Sequence, residues 1–293
     1  MGKHAYLVMA HKSDYTLGKL MTCLDDKRND IFIHMDAKNI DFNFDEIARS
    51  VTNAMIYEIK PRLNISWGGY SQIEVELILL KTATENSIYD YYHLLSGEDL
   101  SIKSQDFIHD FFDKNYGKEF IRFESENFQH DYRVKYYYPL QEIVGKPRNH
   151  IILNKFGRCL FFIQKGIGIY RNKDINFQKG TNWFSITDNL ARYVVLQEKW
   201  IKKTFRNSYC CDEVFLQTIV DSSDFRNRLY RKKYDNSIES IRRLIDWKRG
   251  DPYIFCFSDQ AELTQSNMLF ARKFDCSVDA NIIDYVVSEL ACK

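Results

Sequence analysis

Short apolar runs alternate with stretches of helical spacing between Ala5 and Leu95, and this order leaves few folds open. Strands are predicted at the apolar runs Ala5–Ala10, Ile31–Asp36, Asn53–Tyr57 and Tyr91–Leu95. Helices are predicted between them, where apolar residues recur three and four positions apart, at Leu17–Leu24, Phe44–Ala48 and Gln72–Thr82. Parallel strands need crossover connections, and helices provide them. The alternation therefore predicts an α/β fold with a parallel, doubly wound sheet.

Polar side chains follow three of these strands, at the point where each strand ends. They are His11 and Lys12, then Asp36 with Lys38, and then Gly97, Glu98 and Asp99. Each group alone has the polarity of an ordinary loop. Ligands of open α/β sheets bind beyond the carboxyl ends of the strands, however, so the recurrence predicts a binding site at this edge.

Composition excludes several classes of protein. The chain has 293 residues, 45% of them apolar, which is enough for one large domain or two small ones. Its net charge of +1 gives no overall attraction to nucleic acid or to an anionic membrane. The sequence contains neither G-x-G-x-x-G after a strand nor a P-loop, because its glycine-rich pieces are Trp67-Gly68-Gly69 and Gly166-Ile167-Gly168. A dehydrogenase or a P-loop NTPase is therefore not predicted.

Cysteine usage and apolar run lengths predict a reducing, cytoplasmic location. The seven cysteines are odd in number and form no C-x-x-C, which is typical of reduced thiols, and no metal-ligand spacing is found. No run of 18 apolar residues is present, and the start of the chain does not have the pattern of a signal peptide.

The second half of the chain is less regular. Residues 120 to 138, which include Arg133, are rich in aromatic and basic side chains. Such side chains can pack in a core, stack on sugar rings or, where an RNP motif is present, bind RNA. That motif is absent. Residues 139 to 180 are the least regular stretch and are predicted to be an inserted subregion. A helix is predicted at Leu190–Trp200 and a strand at Tyr253–Phe257.

Two charged pairs in this half have two interpretations each. Asp212 and Glu213 precede an apolar run of helical spacing, so they are either capping acids in a first helical turn or include a general base at a cleft. Arg272 and Lys273 are predicted at a helix end. There they either complement the helix dipole or bind phosphate.

Seven short motifs together resemble the core-2/I-branching family of glycosyltransferases, which includes the peptide O-xylosyltransferases. In chain order they are His34-Met35-Asp36-Ala37-Lys38, Ser66-Trp67-Gly68-Gly69, Leu94–Lys103, Gly180-Thr181-Asn182-Trp183-Phe184, Asp212-Glu213, Asp246-Trp247 and Phe270–Asp275. Each motif alone is weak. Their shared order along nearly the whole chain makes the resemblance specific.

The resemblance implies one GT-A-like domain over residues 1–293, with a doubly wound mixed sheet. Its Rossmann-like N-terminal half, about residues 1–120, would bind the UDP-sugar, and residues 121–293 would bind the acceptor and carry the catalytic group. It also implies inverting transfer to a hydroxyl with no metal and no other cofactor. No D-x-D metal motif occurs in this sequence, and basic side chains would neutralise the leaving diphosphate instead.

The resemblance also assigns roles to individual residues. Glu213 corresponds to the catalytic base, Lys273 to the diphosphate-binding lysine and Asp36 to the acid at the uracil ring. Together with the strand-end residues, the predicted donor site comprises His11, Asp36, Lys38, Trp67, Gly97, Glu98, Asp99, Arg249 and Lys273. The predicted acceptor site comprises Arg133, Trp183, Asp212 and Trp247, of which Trp247 would be the aromatic platform.

The motifs do not identify the donor sugar or the acceptor. UDP-N-acetylglucosamine and UDP-xylose are both compatible donors, and the acceptor is expected to be a glycan or a lipid-linked glycan rather than nucleic acid. Lacking an anchor and a cysteine framework, the chain resembles a bacterial, cytoplasmic version of the family, with at most peripheral contact at the inner face of the membrane. Two rivals are a non-catalytic nucleotide- or sugar-binding protein of the same fold and a metal-dependent GT-A enzyme.

Overall fold

The computed structural model describes residues 2–146 and 148–292, and its strands within these ranges form two sheets. The strands are β1 (His4–Ala10), β2 (Asn29–Met35), β3 (Met55–Glu58), β4 (Tyr91–Ser96), β5 (Asp99–Ser101), β6 (Ser185–Thr187), β7 (Arg243–Ile245) and β8 (Phe270–Arg272). The α-helices are α1 (Tyr15–Leu24), α2 (Phe44–Ala48), α3 (Ser71–Asn86), α4 (Gln105–Lys114), α5 (Asp131–Val134), α6 (Gln141–Val144), α7 (Ile151–Gly166), α8 (Asp188–Leu196), α9 (Glu198–Phe205), α10 (Phe215–Asp221), α11 (Gln260–Gln265) and α12 (Ala280–Tyr285).

The larger sheet has the order β3-β2-β1-β4-β6. Its first four strands are parallel and β6 runs antiparallel to β4, so the sheet is mixed. The order 3-2-1-4 is that of a Rossmann-type nucleotide-binding half. The α/β prediction for the N-terminal part is confirmed, and the mixed sheet agrees with the GT-A-like fold that the resemblance implies.

Both faces of this sheet are buried, as a doubly wound sheet requires. Along β1, Ala5 and Leu7 belong to the core cluster that contains α3 and α8. Tyr6 and Val8 point the other way, into the cluster that contains α1, α4 and α12. The strand therefore contributes side chains alternately to two helical layers. Among the described residues no helix is long and apolar enough to cross a membrane.

A second sheet lies at the carboxyl edge of the first. Its order is β5-β8-β7, with β5 antiparallel and β7 parallel to β8. Because β5 begins only three residues after β4 ends, the turn between them joins the two sheets. This turn contains the predicted donor residues Gly97 and Glu98.

Four local predictions in the second half are wrong. Residues 253 to 257 form no strand, and residues 269 to 275 contain β8 instead of a helix end, so a helix dipole does not account for Arg272 and Lys273. The supposedly irregular region 139 to 180 contains the 16-residue helix α7. The predicted helix Leu190–Trp200 is two helices, since α8 ends before Gln197 and α9 begins after it.

Arg243 in β7 connects the two sheets through its buried guanidinium. Its Nη2 donates to the carbonyl oxygens of Phe184, at 2.6 Å, and Leu94, at 3.1 Å, while Nη1 donates to Ile241 O at 2.8 Å. Burial lowers the pKa of Arg243 to about 10, so it stays charged at neutral pH. The charge is stabilised by carbonyl dipoles from both sheets.

We expect Arg243→Ala to lower the free energy of unfolding by about 3 kcal/mol, because buried carbonyls lose a charged donor. Arg231→Ala is the matched control: Arg231 pairs only at the surface with Asp235, so its removal should cost less than about 1 kcal/mol. Urea unfolding of the three proteins measures both values. Equal, small losses would show that Arg243 does not hold the sheets together.

Candidate active site

The turn after β4 is organised by the buried carboxylate of Asp99. Its oxygens accept from Ser96 N at 2.8 Å, from the Ser96 hydroxyl at 2.9 Å and from Arg272 Nη1 at 2.6 Å. Gly97 packs closely on β1, since a Cβ there would lie 3.2 Å from the Ala10 Cβ. Asp99 thus ties the end of β4 to the end of β8 and leaves Glu98 at the apex of the turn.

Glu98 is buried and surrounded by basic side chains from two stretches of the chain, one after β1 and one at the end of β8. Its Oε1 lies 3.0 Å from Lys273 Nζ and 3.7 Å from both Lys12 Nζ and His11 Nε2, and its Oε2 lies 3.6 Å from Arg272 Nη2. We call these five residues the Glu98 cluster. The structure therefore brings together residues that lie as far apart in sequence as His11 and Lys273.

Three cations of the Glu98 cluster face the single carboxylate of Glu98, and the neighbouring Asp99 and Asp275 balance the remaining positive charge. Lys12 also pairs with Asp275 at 3.0 Å, and hydrogen bonds from Ser277, together with this contact, lower the pKa of Asp275 to about 2. Burial lowers the pKa of His11, so its imidazole is neutral at pH 7. Lys12 and Lys273 remain partly exposed. Ammonium groups in that position can bind an entering anion such as a diphosphate.

Arg272 has a second contact that fixes its position. Its guanidinium carbon lies 4.8 Å above the ring of Trp183, which is buried. Trp183, predicted to bind acceptor, thus supports a cation of the Glu98 cluster. Such a contact favours a planar guanidinium over an ammonium.

Glu213 lies in a 3-10 turn, Cys211–Glu213, that precedes α10. Its Oε2 accepts from Arg133 Nη1 at 2.7 Å and lies 3.6 Å from Lys179 Nζ. About a third of the Glu213 side chain, 32%, is exposed. Arg122 also faces this carboxylate, whose charge opposes the lowering of the Arg122 pKa by burial. Cations therefore orient the Glu213 carboxylate at the surface of the molecule.

The segment Gly180–Trp183 connects the two sites. Gly180 N donates to Glu213 O at 2.9 Å, and three residues later Trp183 supports Arg272. Three residues of extended chain span at most about 11 Å, so this short segment links the backbone of the Glu213 turn to the ring that supports Arg272. Only glycine fits at position 180, because a Cβ there would lie 1.7 Å from the carbonyl oxygen of Arg122.

Asp212 points away from solvent. It is buried, its Oδ2 accepts from Gln72 Nε2 at 3.0 Å, and burial together with the charge of Glu213 raises its pKa to about 7.

Glu76, on α3 near Asp212, is fully buried. Neither of its carboxylate oxygens has a hydrogen-bond partner among the described residues. Burial and the nearby Asp212 raise the pKa of Glu76 well above its usual range.

The remaining predicted residues are more scattered. At the end of β2, Asp36 is held by Lys38, whose Nζ lies 3.2 Å from Asp36 Oδ2. Trp67 is half-exposed and contacts Tyr209, so it lies beside the Glu213 turn and not beside the Glu98 cluster. Trp247 is exposed in the loop after β7.

Arg249, the predicted partner of Lys273 at the diphosphate, is engaged elsewhere. Its guanidinium donates to Asp246, to Asp259 at 2.7 Å and to Glu262 at 2.6 Å, and it stacks on Tyr253. Arg272 occupies the place beside Lys273. Among residues 2–146 and 148–292, no group of three or more His, Cys, Asp or Glu side chains is arranged to hold a metal ion.

Several residues at these sites are not among the predicted site residues. They are Arg122, Lys179 and Gln72, which contact or face the acidic pair. Lys179 directly precedes the Gly180–Phe184 motif, so its sequence position was a usable signal. Arg122 and Gln72 are recognisable only from the fold.

Glu76→Gln should stabilise the protein above neutral pH. With a raised folded-state pKa, Glu76 keeps its proton in the native state while the unfolded chain ionises above about pH 4.5, so native stability falls as pH rises. The variant should match the wild type near pH 4 and exceed it by about 1–3 kcal/mol near pH 8. Urea unfolding at both pH values measures this difference.

Glu85→Gln on the exposed side of the same helix is the control and should change little at either pH. If Glu76→Gln gives the same difference at both pH values, Glu76 is not protonated in the native state and the inference is wrong.

Comparison with known proteins gives a family match over most of the chain. A family model described as Core-2/I-Branching enzyme matches residues 4–266. The crystal structure of S. aureus TarS aligns with a TM-score of 0.30 and 13% identity over 43% of this chain, which covers 22% of the length of TarS. The apo structure of mouse xyloside xylosyltransferase 1 aligns with a TM-score of 0.37 and 7% identity over 94% of this chain and 99% of that one. No curated protein matches the sequence.

Proposed function

The chain belongs to the core-2/I-branching enzyme family, and we propose that it is an inverting glycosyltransferase. In this proposal it moves N-acetylglucosamine from UDP-N-acetylglucosamine to a hydroxyl of a glycan acceptor without a metal ion. The observation that carries the proposal is the position of Glu213. A partly exposed carboxylate, oriented by cations, stands one short segment away from a second group of cations.

Glu213 acts as the general base. Its carboxylate takes the proton of the acceptor hydroxyl as that oxygen forms a bond to the anomeric carbon of the donor sugar. The bond from that carbon to the diphosphate breaks at the same time, and the electron pair leaves with UDP. Attack from the face opposite the leaving group inverts the anomeric configuration. Arg133, which donates to Glu213 Oε2, orients the carboxylate for this proton transfer.

The Glu98 cluster binds the diphosphate. Lys273 and Arg272 stabilise the negative charge that develops on UDP, the role that a metal ion has in other enzymes of this fold. We assign this role to Arg272 because it lies in the same cluster as Lys273, 3.6 Å from Glu98 Oε2, whereas Arg249 is bound by Asp246, Asp259 and Glu262 outside that cluster. Asp36 at the end of β2 receives the uracil ring, and the N-terminal half of the chain contributes most of the donor site.

The exposed Trp247 is a platform for an acceptor sugar. UDP-xylose is the alternative donor. A lipid-linked glycan is the acceptor that suits a cytoplasmic enzyme. A second candidate function is non-catalytic binding of a nucleotide or sugar; it is disfavoured because such a protein has no need for an oriented carboxylate next to a cationic site.

Glu213→Gln should lower turnover by about 10²–10⁴-fold and leave UDP affinity near the wild-type value, because a general base acts in the transition state. UDP release from UDP-N-acetylglucosamine, measured with a panel of glycoside acceptors, gives the rate, and calorimetry gives the affinity. Glu85→Gln should behave as wild type. A Glu213→Gln protein with unimpaired turnover would remove Glu213 from catalysis, and a wild type with no turnover on any donor would favour the binding protein.

Lys273→Ala should weaken UDP binding by roughly 10- to 150-fold, the worth of a charge-assisted phosphate contact of about 1.5–3 kcal/mol. Arg249→Ala is the matched comparison and should leave UDP affinity within about twofold, because its guanidinium is occupied by carboxylates. Calorimetric titration of UDP into each variant measures both affinities and shows whether Lys273 or Arg249 contacts the diphosphate. Weakening by Arg249→Ala alone would place the diphosphate at Arg249 and not at the Glu98 cluster.

A further inference from the structure

Helix α7 contributes almost nothing to the core. Among its 16 described residues only Gln164 is buried. Exposed side chains include Ile152, Phe156, Phe162 and Ile163, with Ile152 83% exposed. A helix this long in a folded domain normally buries an apolar face. The exposed apolar surface of α7 is therefore typical of an interaction site.

The exposed apolar residues form a continuous stripe. Ile152, Phe156, Cys159 and Ile163 are spaced four, three and four positions apart, which places them on one side of the helix, and each is exposed. Lys155, Arg158 and Lys165 are also exposed and lie along the adjacent side, with Phe162 between them. We call the apolar and basic residues together the α7 face: Ile152, Lys155, Phe156, Arg158, Cys159, Phe162, Ile163 and Lys165.

The charged residues in the sequence segment that contains the α7 face are all basic. Residues 143 to 173 contain seven Lys and Arg residues and no Asp or Glu. The whole chain has a net charge of only +1, so this segment carries a local positive charge that the rest of the molecule offsets. Basic residues beside an exposed apolar stripe are the pattern of a helix that lies in the headgroup region of a membrane.

We propose that α7 docks the protein onto the surface of an anionic phospholipid bilayer. The helix lies flat, with Ile152, Phe156 and Ile163 inserted at the acyl boundary and the basic side chains on lipid phosphates. At about 24 Å long and with charges along its length, α7 is unsuited to crossing the hydrocarbon core. A second copy of the chain is a poorer occupant, because a twofold contact through α7 would place two strongly positive segments together.

The inner side of α7 is tied to the segment that holds the proposed base. Gln164 accepts from Tyr137 N at 2.8 Å and donates to Tyr137 O at 2.9 Å, and Phe161 packs against Tyr136 and Tyr138. Arg133, which contacts Glu213, lies four residues before Tyr137. Docking through α7 would hold the Glu213 side of the molecule close to the bilayer, where the sugar of a lipid-linked acceptor lies.

Flotation of the full chain with vesicles tests this surface independently of any enzymatic activity. Binding to phosphatidylcholine vesicles that contain about one third phosphatidylglycerol should exceed binding to pure phosphatidylcholine by at least about tenfold and should fall as salt is raised. Lys155→Glu with Arg158→Glu, and separately Phe156→Ser with Ile163→Ser, should each reduce binding to the anionic vesicles by at least about tenfold. These side chains are exposed, so the fold should be retained, and circular dichroism checks it.

Lys232→Glu with Lys233→Glu is the matched control, with the same change in charge at exposed positions outside α7. Its vesicle binding should stay within about twofold of the wild type. The proposal is overturned if anionic vesicles do not bind the wild type or if the control loses as much binding as the Lys155 and Arg158 pair. It is also overturned if Phe156→Ser with Ile163→Ser abolishes a dimer seen by sedimentation and leaves vesicle binding unchanged.

Discussion

The buried carboxylate of Glu98 is the constraint on which the proposed site depends. Lys12 and Lys273 each lie within 3.7 Å of its Oε1, so their charges are within roughly 7 Å of each other and repel by about 2 kcal/mol at an effective dielectric constant near 20. Glu98, with Asp99 and Asp275, offsets this repulsion and keeps the cations assembled without a ligand. An entering diphosphate would then meet donors that are already in place, so little reorganisation accompanies binding.

The site is built by contacts between the two sheets. Asp99 of β5 accepts hydrogen bonds from Ser96 at the end of β4, and the buried Arg243 of β7 donates to Leu94 in β4. The segment Gly180–Trp183 passes from the Glu213 turn to Arg272. Buried residues of both sheets therefore support the two proposed chemical groups. The exposed α7 is different, because it is attached mainly through Gln164 and Phe161 and leaves its outer side free for another surface.

The sequence predicted the N-terminal part well because its strands are apolar runs buried on both faces and separated by helices of clear periodicity. Strand β8 was missed because three residues ending in a cation have no strand pattern of their own; pairing with β5 and β7 creates it. Helix α7 was missed because the glycines and prolines of residues 139 to 180, including Gly157 within the helix, indicated irregular structure and outweighed the helical spacing of its apolar residues. Family motifs pointed to Glu213 and Lys273, and the sequence paired Arg272 with Lys273 as candidate phosphate ligands. Only the fold shows that both contact Glu98 and that Arg249 is bound to carboxylates elsewhere. The roles of these residues are still predictions.

The most direct test of the account is calorimetric titration of UDP and UDP-N-acetylglucosamine into the wild-type protein, first in excess EDTA and then with Mn²⁺. The account predicts that both ligands bind in EDTA and that Mn²⁺ leaves their affinities unchanged, because the basic side chains of the Glu98 cluster neutralise the diphosphate. Binding that requires Mn²⁺, or no binding under either condition, would contradict it.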